Sequence, residues 1–208
     1  MNLILVRHGE TAWNTERRWQ GQLDIPLNGK GQWQARRVAQ ALADRPITRL
    51  ISSDLQRAHA TAKSIAAVCG RPVTTDRRLR EMSFGAWEGL TYSEIMDSDA
   101  ESYKQWKENP AANTPSGGEG LEAAARRVGQ VWREIEQVDA ETIVLVSHGG
   151  TLRILLRYLL GLPPEAYWQF KIDNASLSHV QIRPTGNTLV SLNDIRHLQS
   201  EGEEVEFS

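Results

Sequence analysis

Four side chains able to do chemistry together stand at the ends of three similar segments. Arg7 and His8 follow the apolar run LILV, Arg57 follows RLISS in the stretch SSDLQR, and His148 follows TIVLV in SHGG. Two guanidinium groups and two imidazoles held at one place repel one another, and desolvation makes the repulsion worse. A bound anion resolves the conflict, and phosphate suits it well, because guanidinium forks match its oxygens in geometry and charge. Gly9 after the first histidine, and Gly149 with Gly150 after the second, let the backbone approach a ligand closely and open the helix that follows. A single histidine after a strand is ordinarily a satisfied structural residue; repetition of the pattern is what points to a site. His59, His179 and His197 lack a comparable setting and read as structural or solvated. Arg17 and Arg18 read as surface charges of a loop, within reach of the distal part of a substrate.

For those residues to meet, the three segments must be neighbouring strands. Each is a continuous apolar, β-branched run, the pattern of a strand buried on both faces, and helical spacing follows each one. Trp33, Ala35, Val38, Ala39 and Leu42 share one helix face. Leu55, Ala58, Ala62, Ile65, Ala66 and Cys69 share another, with Ser53 or Asp54 as the expected N-cap; Leu152 to Leu160 forms a third. The alternation predicts an α/β layer around a mostly parallel central sheet. Its ligand crevice lies at the carboxyl ends of the strands, where Arg7, His8, Arg57 and His148 all fall. A helix from Leu121 to about Val138 leads into the strand at Thr142, and Leu177 to Ile182 and Thr188 to Leu192 read as two weaker strands. From about residue 87 to 120 the pattern is broken by WEG and NPAANTPSGGEG, which predicts a lid-like helical insertion. The stretch SEGEEVEFS, residues 200–208, reads as a flexible acidic tail.

At 208 residues the chain suits one domain, 1–208, with one sizeable core. Its 40% hydrophobic and 24% charged residues are those of an ordinary soluble protein. A net charge of −2 gives no broad grip on nucleic acid or an anionic membrane, so an anion must be held locally. One cysteine, Cys69, forms no internal disulfide, and LILV is too short for a signal-peptide core or a membrane span, so a cytoplasmic location is expected. No HExxH, HxH or Cys/His cluster offers a metal site and no GxxxxGKS/T loop offers a nucleotide cradle; no metal or other cofactor is expected. The expected partner is a small phosphorylated metabolite, with neither nucleic acid nor membrane; a homodimer stays open.

LVRHGETAWN resembles the signature of the histidine phosphatase superfamily, the phosphoglycerate mutase-like family. Further landmarks follow in order: ERRWQGQLDIPLNGKG, SSDLQRAHATA, LREMSFGAWEG, PSGGEG and VLVSHGG. The resemblance covers most of the chain and implies a three-layer αβα sandwich with metal-independent phosphoryl transfer through a phosphohistidine. It implies His8 as nucleophile, Arg7 and Arg57 as ligands of the phosphoryl oxygens, His148 as the pocket's second histidine and Glu81 as proton donor. Asn14, Gln20, Gly21 and Gly149 complete the substrate cradle on the same grounds. The chemistry agrees. An imidazole attacks phosphorus through a nitrogen that carries a lone pair, so its other nitrogen must donate its proton to a fixed acceptor such as a backbone carbonyl. A carboxyl beside a dianionic phosphate is driven by like charge towards the protonated acid that a departing oxygen needs. Arg7, Arg57 and a protonated His148 would then supply the fixed positive charge that a metal supplies elsewhere.

MSFGAWEG after Glu81 resembles the phosphatases of the family rather than the mutases, which carry an RHYG-like stretch there. DAESYKQW, GGEG and PEAYWQFKIDNAS are similar to α-ribazole phosphatases; DNASLS and LND are similar to metal-independent phosphoserine phosphatases, from which Phe84 departs by placing a phenyl ring where that group has a histidine. The expected activity is that of a phosphomonoesterase on a small metabolite, with α-ribazole phosphate first and a phosphoserine, sugar-phosphate or broad-specificity phosphatase, or a cofactor-dependent phosphoglycerate mutase, as alternatives. A phosphate-binding module without catalysis is disfavoured, because nucleophile, acid and cationic clamp are all present.

Overall fold

The computed structural model describes residues 1–199; the expected acidic tail lies outside the described residues. In chain order the elements are β1 (Asn2–Arg7), α1 (Ala12–Thr15), α2 (Gly29–Ala41), β2 (Arg49–Ser52), α3 (Gln56–Cys69), β3 (Val73–Thr75), α4 (Tyr92–Glu108), α5 (Leu121–Ile135), β4 (Thr142–Ser147), α6 (Gly149–Leu159), β5 (Leu177–Gln181) and β6 (Thr188–Asp194). The strands form one sheet in the order β3-β2-β4-β1-β5-β6. The first four run parallel, and β5 and β6 add an antiparallel edge.

Alternation along the central strands builds the two outer layers. Leu3, Leu5, Ile143 and Leu145 face the cluster containing α5 and α6. Ile4, Val6, Val144 and Val146 face the cluster containing α2 and α3. All eight are buried, each contributing roughly 1.5–3 kcal/mol relative to exposure, which is why β1 and β4 read as unbroken apolar runs.

Two local expectations are corrected. Trp33 does not join the buried face of α2, being 38% exposed. Its neighbour Gln34 is buried instead, because its Oε1 accepts from the Glu10 N–H at 2.7 Å. Neither Ser53 nor Asp54 caps α3. Asp54 is taken by Arg80, at 2.7 and 2.6 Å, Ser53 is taken by His148, and the Gln56 N–H donates to the distant Asp24 carboxylate at 2.7 Å. In the expected insertion, α4 starts from a Thr91/Glu94 capping box and kinks at Asp99, whose Oδ2 accepts from the Trp87 indole at 2.9 Å. Among the described residues no helix is long and apolar enough to cross a membrane.

Candidate active site

The register of β1 on β4 places the two histidines side by side. Arg7 pairs with Ser147, and parallel neighbours lie about 4.8 Å apart, so His8 and His148 leave the sheet together with ring centroids 5.1 Å apart. The His8 Nδ1 lies 2.7 Å from the Gly9 carbonyl oxygen. A carbonyl only accepts, so Nδ1 carries the proton and Nε2 keeps its lone pair. The His8 main chain is fixed by three bonds: its N–H donates to Ser147 O at 3.0 Å, and its carbonyl accepts from Ala175 N at 3.1 Å and Asn174 Nδ2 at 3.2 Å. Ala175 adopts φ of 58°, a strained left-handed conformation for a residue with a Cβ, to make its bond.

Arg57, 1% exposed, is aimed by three acceptors. Nη1 donates to Leu23 O at 2.7 Å, Nη2 to Gly21 O at 2.7 Å, and Nε to His148 Nδ1 at 3.2 Å. Gly21 is required by its φ of 50° and because a Cβ there would overlap the Glu88 carboxylate. That carboxylate ties the turn to the segment after Glu81 by accepting from Gln22 N at 3.2 Å and Phe84 N at 2.9 Å. Arg7 donates from Nη1 to Ile172 O at 2.6 Å, while its buried Nε has no partner. Burial pushes both guanidinium groups down to about 10, so both remain cations at neutral pH.

The same burial, reinforced by Arg57 and Arg7, holds both histidines well below the ordinary value of 6.5. Burial and the neighbouring arginines thus push His148 away from the protonated form expected beside a phosphate. An N–H of Arg57 faces its Nδ1, which must therefore accept, and Nε2 is left to donate to Ser53 Oγ at 2.8 Å. His148 is a neutral strut between Arg57 and Ser53, fully buried.

Glu81 meets the amino end of α6. Its Oε2 accepts from Gly150 N at 3.0 Å, and its Oε1 accepts from Thr151 N and Met82 N, each at 3.0 Å. Gly150 permits this approach, since a Cβ there would lie 2.7 Å from Glu81 Oε1 and 2.7 Å from the Tyr167 hydroxyl.

Arg7, His8, Asn14, Gln20, Gly21, Arg57, Glu81 and Gly149 line one cavity of about 440 Å³. The structure thus brings eight of the nine predicted site residues to one cavity; the ninth, His148, does not line it and lies fully buried beside His8. Asn14 Oδ1 is occupied by Thr11 N at 3.0 Å and Asn174 Nδ2 at 3.2 Å; Gln20 Oε1 is buried and unpaired. Arg17 and Arg18, read as loop charges within reach of the distal part of a substrate, line the same cavity, with Arg18 held by Glu16 at 2.8 Å and Glu94 at 2.9 Å. The far wall is made by Trp13, Trp19, Trp106 and Trp168, tryptophans whose expected place is core or pocket wall, together with Tyr92, Tyr103, Tyr167 and Arg153, which sequence reasoning missed. Edge-to-face contacts join Trp19 to Phe84 at 4.6 Å and Trp106 to Trp168 at 5.2 Å. Sequence reasoning also missed Ser53, Asn174 and Thr61, whose only signal was their place inside quoted motifs. Among the described residues no three His, Cys, Asp or Glu side chains converge as ligands for a metal ion.

A layered α/β protein with paired imidazoles, buried guanidinium groups and a carboxylate around one crevice is built to handle a phosphoryl group. The chain belongs to the histidine phosphatase superfamily: residues 3–195 match the model of branch 1 of that superfamily. It is 38% identical over 208 residues to "Probable phosphoglycerate mutase GpmB" of Yersinia enterocolitica, covering 95% of each chain. It is 35% identical to phosphoserine phosphatase 1 of Hydrogenobacter thermophilus, covering 95% of this chain and 94% of that one. The structure of the α-ribazole phosphatase from Shigella flexneri superposes with a TM-score of 0.86 at 34% identity, covering 93% of this chain and 96% of that one.

Proposed function

We propose that this chain is a phosphomonoesterase that passes the phosphoryl group of a small metabolite first to His8 Nε2 and then to water. In the first step the Nε2–P bond forms as the P–O bond to the leaving group breaks, and Glu81 gives its proton to the departing oxygen. In the second, the Glu81 carboxylate takes a proton from water, whose oxygen bonds to phosphorus as the N–P bond breaks. Arg7 and Arg57 hold the non-bridging oxygens throughout, each worth on the order of 10²–10³ in rate. The observation that carries this reading is the 2.7 Å bond from His8 Nδ1 to Gly9 O, which frees Nε2 in a cavity that Arg7, Arg57 and Glu81 also line.

The aromatic far wall favours a leaving group with a flat apolar face, and α-ribazole phosphate has one. A second reading rests on Arg153. Its Nε donates to Phe170 O at 2.9 Å, its guanidinium lies over the Trp168 ring at 5.4 Å, and among the described residues no carboxylate pairs with it. An unpaired cation in that wall favours a leaving group that carries a carboxylate, as phosphoserine and the phosphoglycerates do.

The test is a screen of purified protein, with EDTA present, against α-ribazole phosphate, phosphoserine, both phosphoglycerates with bisphosphate primer, sugar phosphates and p-nitrophenyl phosphate. Phosphate release with an acid-labile, base-stable phosphoenzyme that disappears in His8→Ala is expected. Rapid interconversion of the phosphoglycerates without net phosphate release would replace hydrolysis by mutation. Activity lost in EDTA and restored by a divalent cation would refute a metal-free mechanism.

A further inference from the structure

We infer that the ion pair between Arg127 and Glu119 is the device that positions Glu81 for proton transfer, an inference that rests on Glu81 being the acid of the proposed reaction. Glu81 lies in an irregular stretch between two short 3-10 turns, Arg77–Leu79 and Gly85–Trp87. No helix or strand of its own fixes its backbone. The Arg127 side chain on α5, 16% exposed, does so instead. Its Nη1 donates to Arg78 O at 2.6 Å and to Arg80 O at 2.7 Å, and its Nη2 donates to Glu81 O at 3.1 Å. The remaining donors, Nε and Nη2, reach the two oxygens of Glu119, each at 2.7 Å.

A guanidinium offers five N–H donors in a rigid plane, and here all five are used. Arg127 therefore has nothing left for a phosphate and is a positioning residue, not a catalytic one. Glu119 is anchored in turn, because its N–H donates to Ser83 O at 2.8 Å. The glycines of PSGGEG make that docking possible: a Cβ on Gly118 would lie 2.8 Å from Ser83 O, and a Cβ on Gly85 would strike Ser116 O. The backbone of Glu81 is thus held by α5 while its carboxylate is held by the amino end of α6. The acid is fixed from both sides. A lysine at 127 has a single donor head and cannot serve three carbonyls and a carboxylate at once.

The experiment compares Arg127→Lys, Glu119→Gln, Glu81→Gln and the double variant Glu81→Gln/Arg127→Lys. Each is assayed on an alkyl phosphate, whose alkoxide needs a proton to leave, and by single-turnover phosphorylation with p-nitrophenyl phosphate, whose phenolate does not. Arg127→Lys is expected to lose about 10–10² in alkyl turnover while aryl phosphorylation stays within about threefold. In the Glu81→Gln background the same change should cost nothing further on the alkyl substrate, since the two residues act as one unit. Equal alkyl and aryl losses in Arg127→Lys, no loss at all, or an additive loss in the double variant would each overturn the positioning role. Should Arg127→Lys fail to fold, Glu119→Gln is read by the same criteria. A Glu81→Gln variant that itself loses alkyl and aryl activity equally would refute the acid assignment, a result distinguishable from failure of the clamp alone.

Discussion

Replacing Gly150 by alanine should separate activity from stability. Gly150 is the second residue of α6, and a Cβ built there meets two side-chain oxygens at 2.7 Å, Glu81 Oε1 and the Tyr167 hydroxyl. An ordinary contact begins near 3.4 Å, so the carboxylate must move by about 0.7 Å (3.4 − 2.7). The 3.0 Å bond from Gly150 N to the other carboxylate oxygen, Oε2, is strained by the same movement, to at most about 3.7 Å, where a hydrogen bond is lost. Displacements of this size in a catalytic group cost about 10–10² in rate. The fold loses less: alanine gains about 1 kcal/mol of helix propensity over glycine, against about 1–3 kcal/mol for overpacking beside a buried tyrosine. The net loss is at most about 2 kcal/mol, a fall in Tm of no more than about 8 °C. The assay is kcat on an alkyl phosphate well below Tm, beside thermal melts. Gly29→Ala serves as control, since a Cβ there meets nothing within 4 Å. A Gly150→Ala enzyme with wild-type kcat, or one whose loss matches its unfolded fraction, would refute the reasoning.

Stability should fall on acidification below pH 6.5. The unfolded chain binds protons at His8 and His148 there, whereas the folded chain, with both groups held well below 6.5 by burial, does not. The slope approaches about 1.4 kcal/mol per pH unit for each histidine, and His8→Asn should show a shallower decline in melts between pH 7.5 and 5; a Tm flat to pH 5.5 would contradict the assignment. Thr61→Val should destabilise the loop carrying His8, because Thr61 Oγ1 accepts from Gly9 N at 3.1 Å and donates to Arg57 O at 2.8 Å. An unsatisfied buried N–H costs about 1–3 kcal/mol, whereas Thr61→Ser keeps the hydroxyl and should melt close to wild type; equal melting of the two variants would sink the idea.

How far the sequence could be read depended on whether a residue's partners were local. β1, β2 and β4 were legible because strands buried on both faces leave unbroken apolar runs. β3 was not, since Val73–Thr75 is a three-residue edge with little buried side chain. Gln34 defeated the apolar rule because a satisfied glutamine packs where a hydrophobe is expected. Arg7, His8 and Arg57, with His148 beside them, were legible from the rule that crevices form at strand ends. Glu81 stands out only within the family motif, because the groups that hold it, Arg127 and the N–H donors of α6, are distant in sequence. The direction in which the His148 imidazole is pushed could not be read: it depends on full burial and on Arg57 aiming Nε at the ring, both matters of tertiary packing.

The junction of β4 and α6 concentrates the framework of the site. Four consecutive residues there do separate work. His148 braces Arg57, Gly149 leaves room for the Arg7 guanidinium at 3.6 Å from where a Cβ would stand, and Gly150 with Thr151 supplies the N–H donors for Glu81. Because β4 is locked in register with β1, the placement of Arg7 and His8 beside His148 is set by one strand pair, while Arg57 is braced from α3 and Glu81 is held between α5 and the amino end of α6. Apart from Arg153 on α6, the far wall is drawn from other places: α1 and the turn after it, α4, and the turn at Tyr167 and Trp168. Exchange of an aromatic or of Arg153 in that wall changes what the leaving group meets while the β1–β4 register stays as it is. Leaving-group preference can therefore change on a fixed frame, and the chain's similarity at 34–38% identity to proteins named as a mutase, a phosphoserine phosphatase and an α-ribazole phosphatase leaves the wall as the place to test it.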